Sequence, residues 1–165
     1  MKTILLDAYN VIHKIPELKA KLRESLYSAR RQLVLMMVNW KVKNGFNGGI
    51  TVVFDGQDNI SSSEGSKLHG IKCLFTTSKE EADDRIISIV RETPAPSKLL
   101  VITDDGRVRN SCKALGAQIK YPSYLLEQKK RKKPFNPVES RSKSTLKSSE
   151  EKEVDDYYKK MLGLD

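Results

Sequence analysis

The chain has 165 residues, 38% of them hydrophobic, enough for one compact domain with a tail. Lys and Arg number 30 against 21 Asp and Glu, and the net charge of +9 points to an anionic partner, nucleic acid first. No apolar run approaches the roughly 18 residues of a spanning helix, and two cysteines, Cys73 and Cys112, are too few for a disulfide framework or a zinc site. The expected setting is a reducing cytoplasm, away from membranes.

Residues 3–6 (TILL) form a short apolar run that ends at Asp7 and reads as a buried strand, not a signal peptide, since no small-residue cleavage site follows. From Pro16, apolar residues Leu18, Leu22, Leu26, Ala29, Leu33, Met36 or Met37, and Trp40 recur at spacings of three or four. That spacing predicts one long amphipathic helix ending at Asn44-Gly45, with Arg30 and Arg31 among the cations on its polar face. His13, ahead of it, reads as a partly buried structural histidine. A second strand spans 50–54 (ITVVF) and ends at Asp55-Gly56. The stretch 58–66 has turn chemistry and reads as a loop.

A third strand is expected at 71–75 (IKCLF). Ser78 with Glu81 fits a capping box for a helix that buries Ala82, Ile86, Ile87 and Val90. A fourth strand at 99–103 (LLVIT) ends in Asp104-Asp105-Gly106, and a short helix and a fifth strand (117–121) follow. Alternating strands and helices imply an α/β fold with a mostly parallel sheet of about five strands covered on both faces. After residue 128 the composition changes. Residues 129–149 read as a basic flexible linker that opens with Lys129, Lys130, Arg131, Lys132 and Lys133, and 150–165 regain helical character with Val154 on the apolar side. The five cations attract polyanions, and Tyr121, Tyr124 and Phe135 flank them, enough to stack a base or two.

The informative pattern is where the acids fall. Asp7, Asp55 and Asp105 each follow a strand, and Asp83 and Asp84 open the helix after the third strand. In an open parallel sheet the crevice beyond the strand C-terminal ends binds ligands. Acids gathered there repel one another unless a proton or a cation intervenes, and carboxylates suit Mg²⁺ or Mn²⁺. Such an ion beside a basic surface suits phosphodiester hydrolysis. Asp7, Asp55, Asp83 and Asp105 are therefore expected to form an acidic metal site, with Asn10 placed to bond a ligand water or the phosphate. Arg107 and Arg109, just past Asp105, are candidates for holding an RNA backbone. Each acid alone also reads as an ordinary turn residue or helix cap.

The strings ILLDAYNVIH, TVVFDG, EEADDRI and VITDDGRV, in this order, resemble the NYN-domain, YacP-like branch of the PIN-like nucleases over about residues 2–128. The resemblance implies a three-layer α/β/α fold and a metal-dependent endoribonuclease that uses Asp7, Asn10, Asp55, Asp83 and Asp105, with messenger RNA on the ribosome as a lead to its substrate. The chain departs from the family at Ala8, usually Gly, and at Asp104, usually Ser. Asp104 thus competes with Asp105 for the metal, Asp84 competes with Asp83, and Glu80, one turn earlier on the helix, is a further candidate ligand. The alternative is an RNA- or ribosome-binding module on the same fold without turnover.

Overall fold

The structure is a computed structural model, and it describes residues 2–56, 67–68, 70–77, 79–127, 151–156 and 159. Strand β1 (Thr3–Asp7) runs into helix α1 (Ala8–Lys14), followed by α2 (Pro16–Glu24), α3 (Leu26–Lys43) and β2 (Gly49–Phe54). The two-residue β3 (Lys67–Leu68) precedes β4 (Ile71–Phe75), α4 (Ala82–Glu92), β5 (Leu99–Ile102), α5 (Gly106–Ala114) and β6 (Gln118–Lys120). The sheet order is β3-β4-β2-β1-β5-β6. Five strands are parallel, as expected, and β3 adds an antiparallel edge through Lys67 and Leu68.

Alternation along the strands builds the three layers. Ile4, Leu6, Val52, Phe54, Cys73 and Ile102 face one core with α1, α2 and α3, whereas Leu5, Val53, Leu74 and Val101 face a second core with α4 and α5. Period-two side chains make this unavoidable once both faces are covered. Each such Leu or Ile contributes about 1.5–3 kcal/mol by leaving water. Both cysteines are buried, and burial pushes the Cys73 thiol up to about 12 and the Cys112 thiol up to about 11.

Two helical expectations need correction. The long helix is broken at Ser25, whose extended backbone (φ −168°) ends α2 and whose hydroxyl accepts from the Ser28 N–H at the start of α3. A serine inside an apolar period can cap as well as continue, and here it caps. Arg30 is not on a polar face, for it is 4% exposed. The capping box is also replaced. Helix α4 starts at Ala82 with Glu81 as its cap, and Glu81 makes no side-chain cap bond. Ser78 lies outside the described residues. So do the 58–66 loop and residues 129–149, including the Lys129–Lys133 block. His13 is exposed, not partly buried.

Residues 151–156 are helical, with Val154 fully buried in the α1–α3 core. Asp155 anchors them, accepting from the Tyr27 hydroxyl and from Arg31 Nε, each at 2.8 Å. Burial and the bond to Asp155 push the Tyr27 phenol up to about 12.

The chain leaves β1 for β2 and β4 on one side of the sheet and returns to β5 and β6 on the other. The order therefore reverses between β1 and β5, which opens a crevice at their C-terminal ends. Asp7 ends β1, and Thr103-Asp104-Asp105 follow β5.

Candidate active site

Three of the predicted acids cap helices. Asp7 is the N-cap of α1, and its Oδ1 accepts from the Asn10 N–H at 3.4 Å. Asp105 is the N-cap of α5, and its Oδ1 accepts from the Val108 N–H at 2.9 Å. Asp55 works at a distance: its Oδ1 accepts from the Ala82 N–H at 2.7 Å, so an acid at the end of β2 caps α4. Each bond satisfies an amide that a helix N-terminus leaves unpaired, and the positive end of the helix favours the carboxylate.

Asp7 is the most buried of these acids, at 5% exposure. Its Oδ2 accepts from the Thr103 hydroxyl at 3.1 Å, and Thr103 Oγ1 in turn accepts from the Asp105 N–H at 3.0 Å. One fully buried threonine thus ties the end of β1 to the turn after β5. Burial pushes the Asp7 carboxyl up to about 6, the Asn10 and Thr103 bonds oppose it, and the charges of Asp83 and Asp55 add to it. Asp83 is also raised, first by burial and then by Asp105, with Asp55 contributing and Arg107 opposing. Asp7 and Asp83 thus both carry the charge of neighbouring acids at a single edge of the sheet.

They do not close into a ready-made ligand cage. Among the described residues, no three His, Cys, Asp or Glu side chains stand close enough to hold a metal ion. The caps supply the reason, because Asp7, Asp55 and Asp105 each commit an oxygen to an amide of a different helix.

The adjacent acids separate clearly. Asp84 is exposed and pairs with Arg107. Asp104 pairs with Lys14 at 2.6 Å and Arg109 at 3.6 Å, and the Lys14 ammonium, helped by Arg109, holds its carboxyl below the usual range. Glu80 sits in the turn before α4 and not on the helix. Asn10 Oδ1 accepts from the Asp104 N–H at 2.6 Å, so its carbonyl oxygen is spent on the β5–α5 turn.

Sequence reading missed Arg30. It donates to the Tyr9 hydroxyl through Nε at 3.0 Å and through Nη2, and Nη2 also donates to the Asp55 carbonyl at 3.1 Å. Its guanidinium lies 5.5–5.7 Å from the ring centres of Tyr9, Phe54 and Phe75. This buried cation, held by neutral oxygens and aromatic faces, fixes the backbone that presents Asp55. Its signal was available: Leu26, Arg30, Leu33 and Met37 share helical spacing. Gly56 does more than end the second strand. A Cβ there would stand 1.5 Å from the Thr76 carbonyl oxygen, so only glycine lets the β2 and β4 ends approach.

A three-layer α/β/α protein of PIN-like architecture, with interacting acids at the C-terminal edge of its parallel sheet, is the class these features define. The chain belongs to the family of YacP-like NYN domains, whose model matches residues 4–162. It is 26% identical over 143 residues to the uncharacterized protein YacP of Bacillus subtilis (strain 168), covering 80% of this chain and 83% of that protein. It is also similar to a crystal structure of a mutant Rae1 (YacP) from Bacillus subtilis, with a TM-score of 0.62 at 28% identity over 76% of this chain and 73% of that one. A second crystal structure of Rae1 (YacP) gives a TM-score of 0.59 at 21% identity, covering 99% of this chain and 81% of that one, a likeness of fold. Membership of this family supports a ribonuclease-type activity. Among the described residues, no helix is long and apolar enough to cross a membrane.

Proposed function

We propose that the chain is a metal-dependent endoribonuclease of the cytoplasm that hydrolyses RNA phosphodiester bonds. The observation that carries this reading is the position of Asp7, Asp55, Asp83 and Asp105 at one sheet edge, where, beyond burial, Asp83 and Asp55 raise Asp7, and Asp105 and Asp55 raise Asp83, in a chain of this family. An all-carboxylate donor set suits a hard cation, Mg²⁺ or Mn²⁺; burial first and neighbouring acids second raise Asp7 and Asp83, and a bound positive charge offsets both. These four acids would hold the ion, and Asp84, Asp104 and Glu80 stand outside the set. When bound, the metal supplies Lewis-acid stabilisation of the phosphate and a more acidic water.

The chain's own residues supply the rest. Thr103 and Asn10 lock β1 to the β5–α5 turn, so Asp7 and Asp105 keep a fixed relation. Arg30 and Gly56 do the same for Asp55. Arg107 and Arg109, with the Lys129–Lys133 block outside the described residues, hold the RNA backbone. Water attacks the phosphorus, the 3′ oxygen leaves, and the products carry a 5′-phosphate and a 3′-hydroxyl. Messenger RNA on the ribosome, the lead that the family resemblance implies, is the substrate we favour, and the net charge of +9 suits RNA of any kind.

The test is to incubate single-stranded RNA with the full chain in Mn²⁺ or in EDTA. Cleavage in Mn²⁺ alone, with 5′-phosphate ends, is expected, and Asp7→Asn should lower it by about 100-fold or more. Salt-sensitive binding without product in Mn²⁺ would instead assign an RNA-binding module on this fold.

A further inference from the structure

Tyr121 is the one exposed Phe, Tyr or Trp side chain among the described residues. It is 53% exposed and follows β6 at the same sheet edge as the acids. The neighbouring Tyr124 is partly buried and packs on the buried Trp40, with ring centres 6.0 Å apart, so they offer no comparable face. The register places Tyr121 beside Thr103: β5 and β6 pair through Ile102 and Lys120, and the Thr103 N–H donates to the Lys120 carbonyl at 3.2 Å. From the strand that carries Asp7, Tyr121 is thus two strand spacings away, about 10 Å.

Its ring is not loose. The Arg109 guanidinium carbon lies 4.9 Å from the ring centre, and Arg109 is itself held by Asp104, which is held by Lys14. A planar cation against one side of an exposed ring fixes that ring as a platform. Unpaired nucleobases stack on such aromatic faces, whereas bases inside a duplex are already stacked and cannot reach them.

We propose that Tyr121, braced by Arg109, is a nucleobase-stacking subsite that takes one unpaired base close to the scissile phosphate and so restricts the substrate to single-stranded RNA. This rests on the reading of RNA as the substrate, and it adds a recognition element to the acidic edge. Tyr121 is a binding residue here, and Arg109 positions it while meeting the backbone.

The experiment uses the full chain in EDTA, so that binding is read without turnover. Short single-stranded oligoribonucleotides carry 2-aminopurine at successive positions, and a duplex of the same sequence serves as control. Binding by the wild-type chain should quench one position, and Tyr121→Phe should keep that quenching. Tyr121→Ala should abolish it and weaken single-strand binding about tenfold. Because the lost contact is uncharged, the slope of log affinity against log salt should stay the same for Tyr121→Ala, and duplex affinity should not change. The backbone bond from the Tyr124 N–H to the Tyr121 carbonyl survives each substitution, and thermal unfolding verifies the fold. The proposal is overturned if Tyr121→Ala keeps the wild-type affinity, if it weakens the duplex equally, if Tyr121→Phe loses the quenching, or if the wild-type chain binds no RNA. Absence of Mn²⁺-dependent cleavage alongside an intact Tyr121 effect would remove the nuclease reading and leave the subsite standing.

Discussion

Replacing Asp7 by asparagine is expected to stabilise the metal-free protein at neutral pH while removing the proposed activity. Asp7 is buried, and its carboxyl is pushed from the ordinary 3.8 up to about 6, chiefly by burial and further by Asp83 and Asp55. The folded protein therefore holds a proton there more tightly than the unfolded chain does. The stability this gives is fully present below about pH 4 and is lost as pH rises through about 6. The interval is worth about 3 kcal/mol at about 1.4 kcal/mol per pH unit. Asparagine cannot ionise, so its variant escapes this loss. It keeps the cap to the Asn10 N–H, but its amide nitrogen cannot accept the Thr103 hydroxyl, and Thr103 already accepts from Asp105. That mismatch costs about 1 kcal/mol. The net expectation is a variant about 2 kcal/mol more stable than wild type near pH 7.5 and slightly less stable near pH 4. Urea denaturation in EDTA across that range measures it. A gap that does not change with pH, or a variant weaker than wild type throughout, would refute the account of Asp7 as a strained, ionised group.

Adding Mn²⁺ should raise the unfolding midpoint of the wild-type chain and leave that of Asp7→Asn almost unchanged, with about 2.7 kcal/mol expected at a hundred times the dissociation constant. Gly56→Ala should lower stability by about 1–3 kcal/mol and reduce Mn²⁺-dependent cleavage, because the new Cβ meets the Thr76 carbonyl and shifts the turn that carries Asp55; thermal melts and cleavage assays check the two effects together. Arg30→Ala should cost about 2–4 kcal/mol in urea denaturation, and Arg30→Lys should recover only part of it, since an ammonium cannot bridge Tyr9 and the Asp55 carbonyl as the guanidinium fork does. Asp155→Ala should bring the Tyr27 phenol down from about 12, and ultraviolet titration of the tyrosines would register the change.

Strands β1, β2 and β5 were legible because each is a run of β-branched or apolar residues that stops at an acid or a turn: TILL before Asp7, ITVVF before Asp55, LLVIT before Asp104. Buried on both faces, they needed no alternation to be recognised. Helix boundaries were less legible where polar residues act across space. Ser25 breaks a period that Leu22, Leu26 and Ala29 continue, and nothing local to Ser78 or Glu81 reveals that the cap of α4 comes from Asp55. Arg30 defeated the rule that cations face water, because Tyr9, Phe54 and Phe75 come from three other elements. The choice between Asp83 and Asp84, and between Asp104 and Asp105, likewise depends on where Arg107, Lys14 and Arg109 reach.

Capping and site formation are one arrangement here. Four carboxylates at a sheet edge repel one another, and a fold that gathers them without a bound cation must offset the repulsion in some other way. Three of them do so by meeting the positive N-terminal ends of α1, α4 and α5, each through an amide hydrogen bond of 2.7–3.4 Å. That compensation keeps the acids ordered, and it also keeps them apart, since the three bonded amides belong to three helices. Asp83 differs, because it lies within the first turn of α4 and is not itself a cap. Asp7 differs in burial, and it alone combines a cap, a buried threonine partner and a carboxyl raised to about 6. A cation arriving at this edge would therefore gain most at Asp7 and Asp83, the two carboxyls that burial and neighbouring acids raise, while Asp55 and Asp105 would meet it through Oδ2 and keep Oδ1 on their helices.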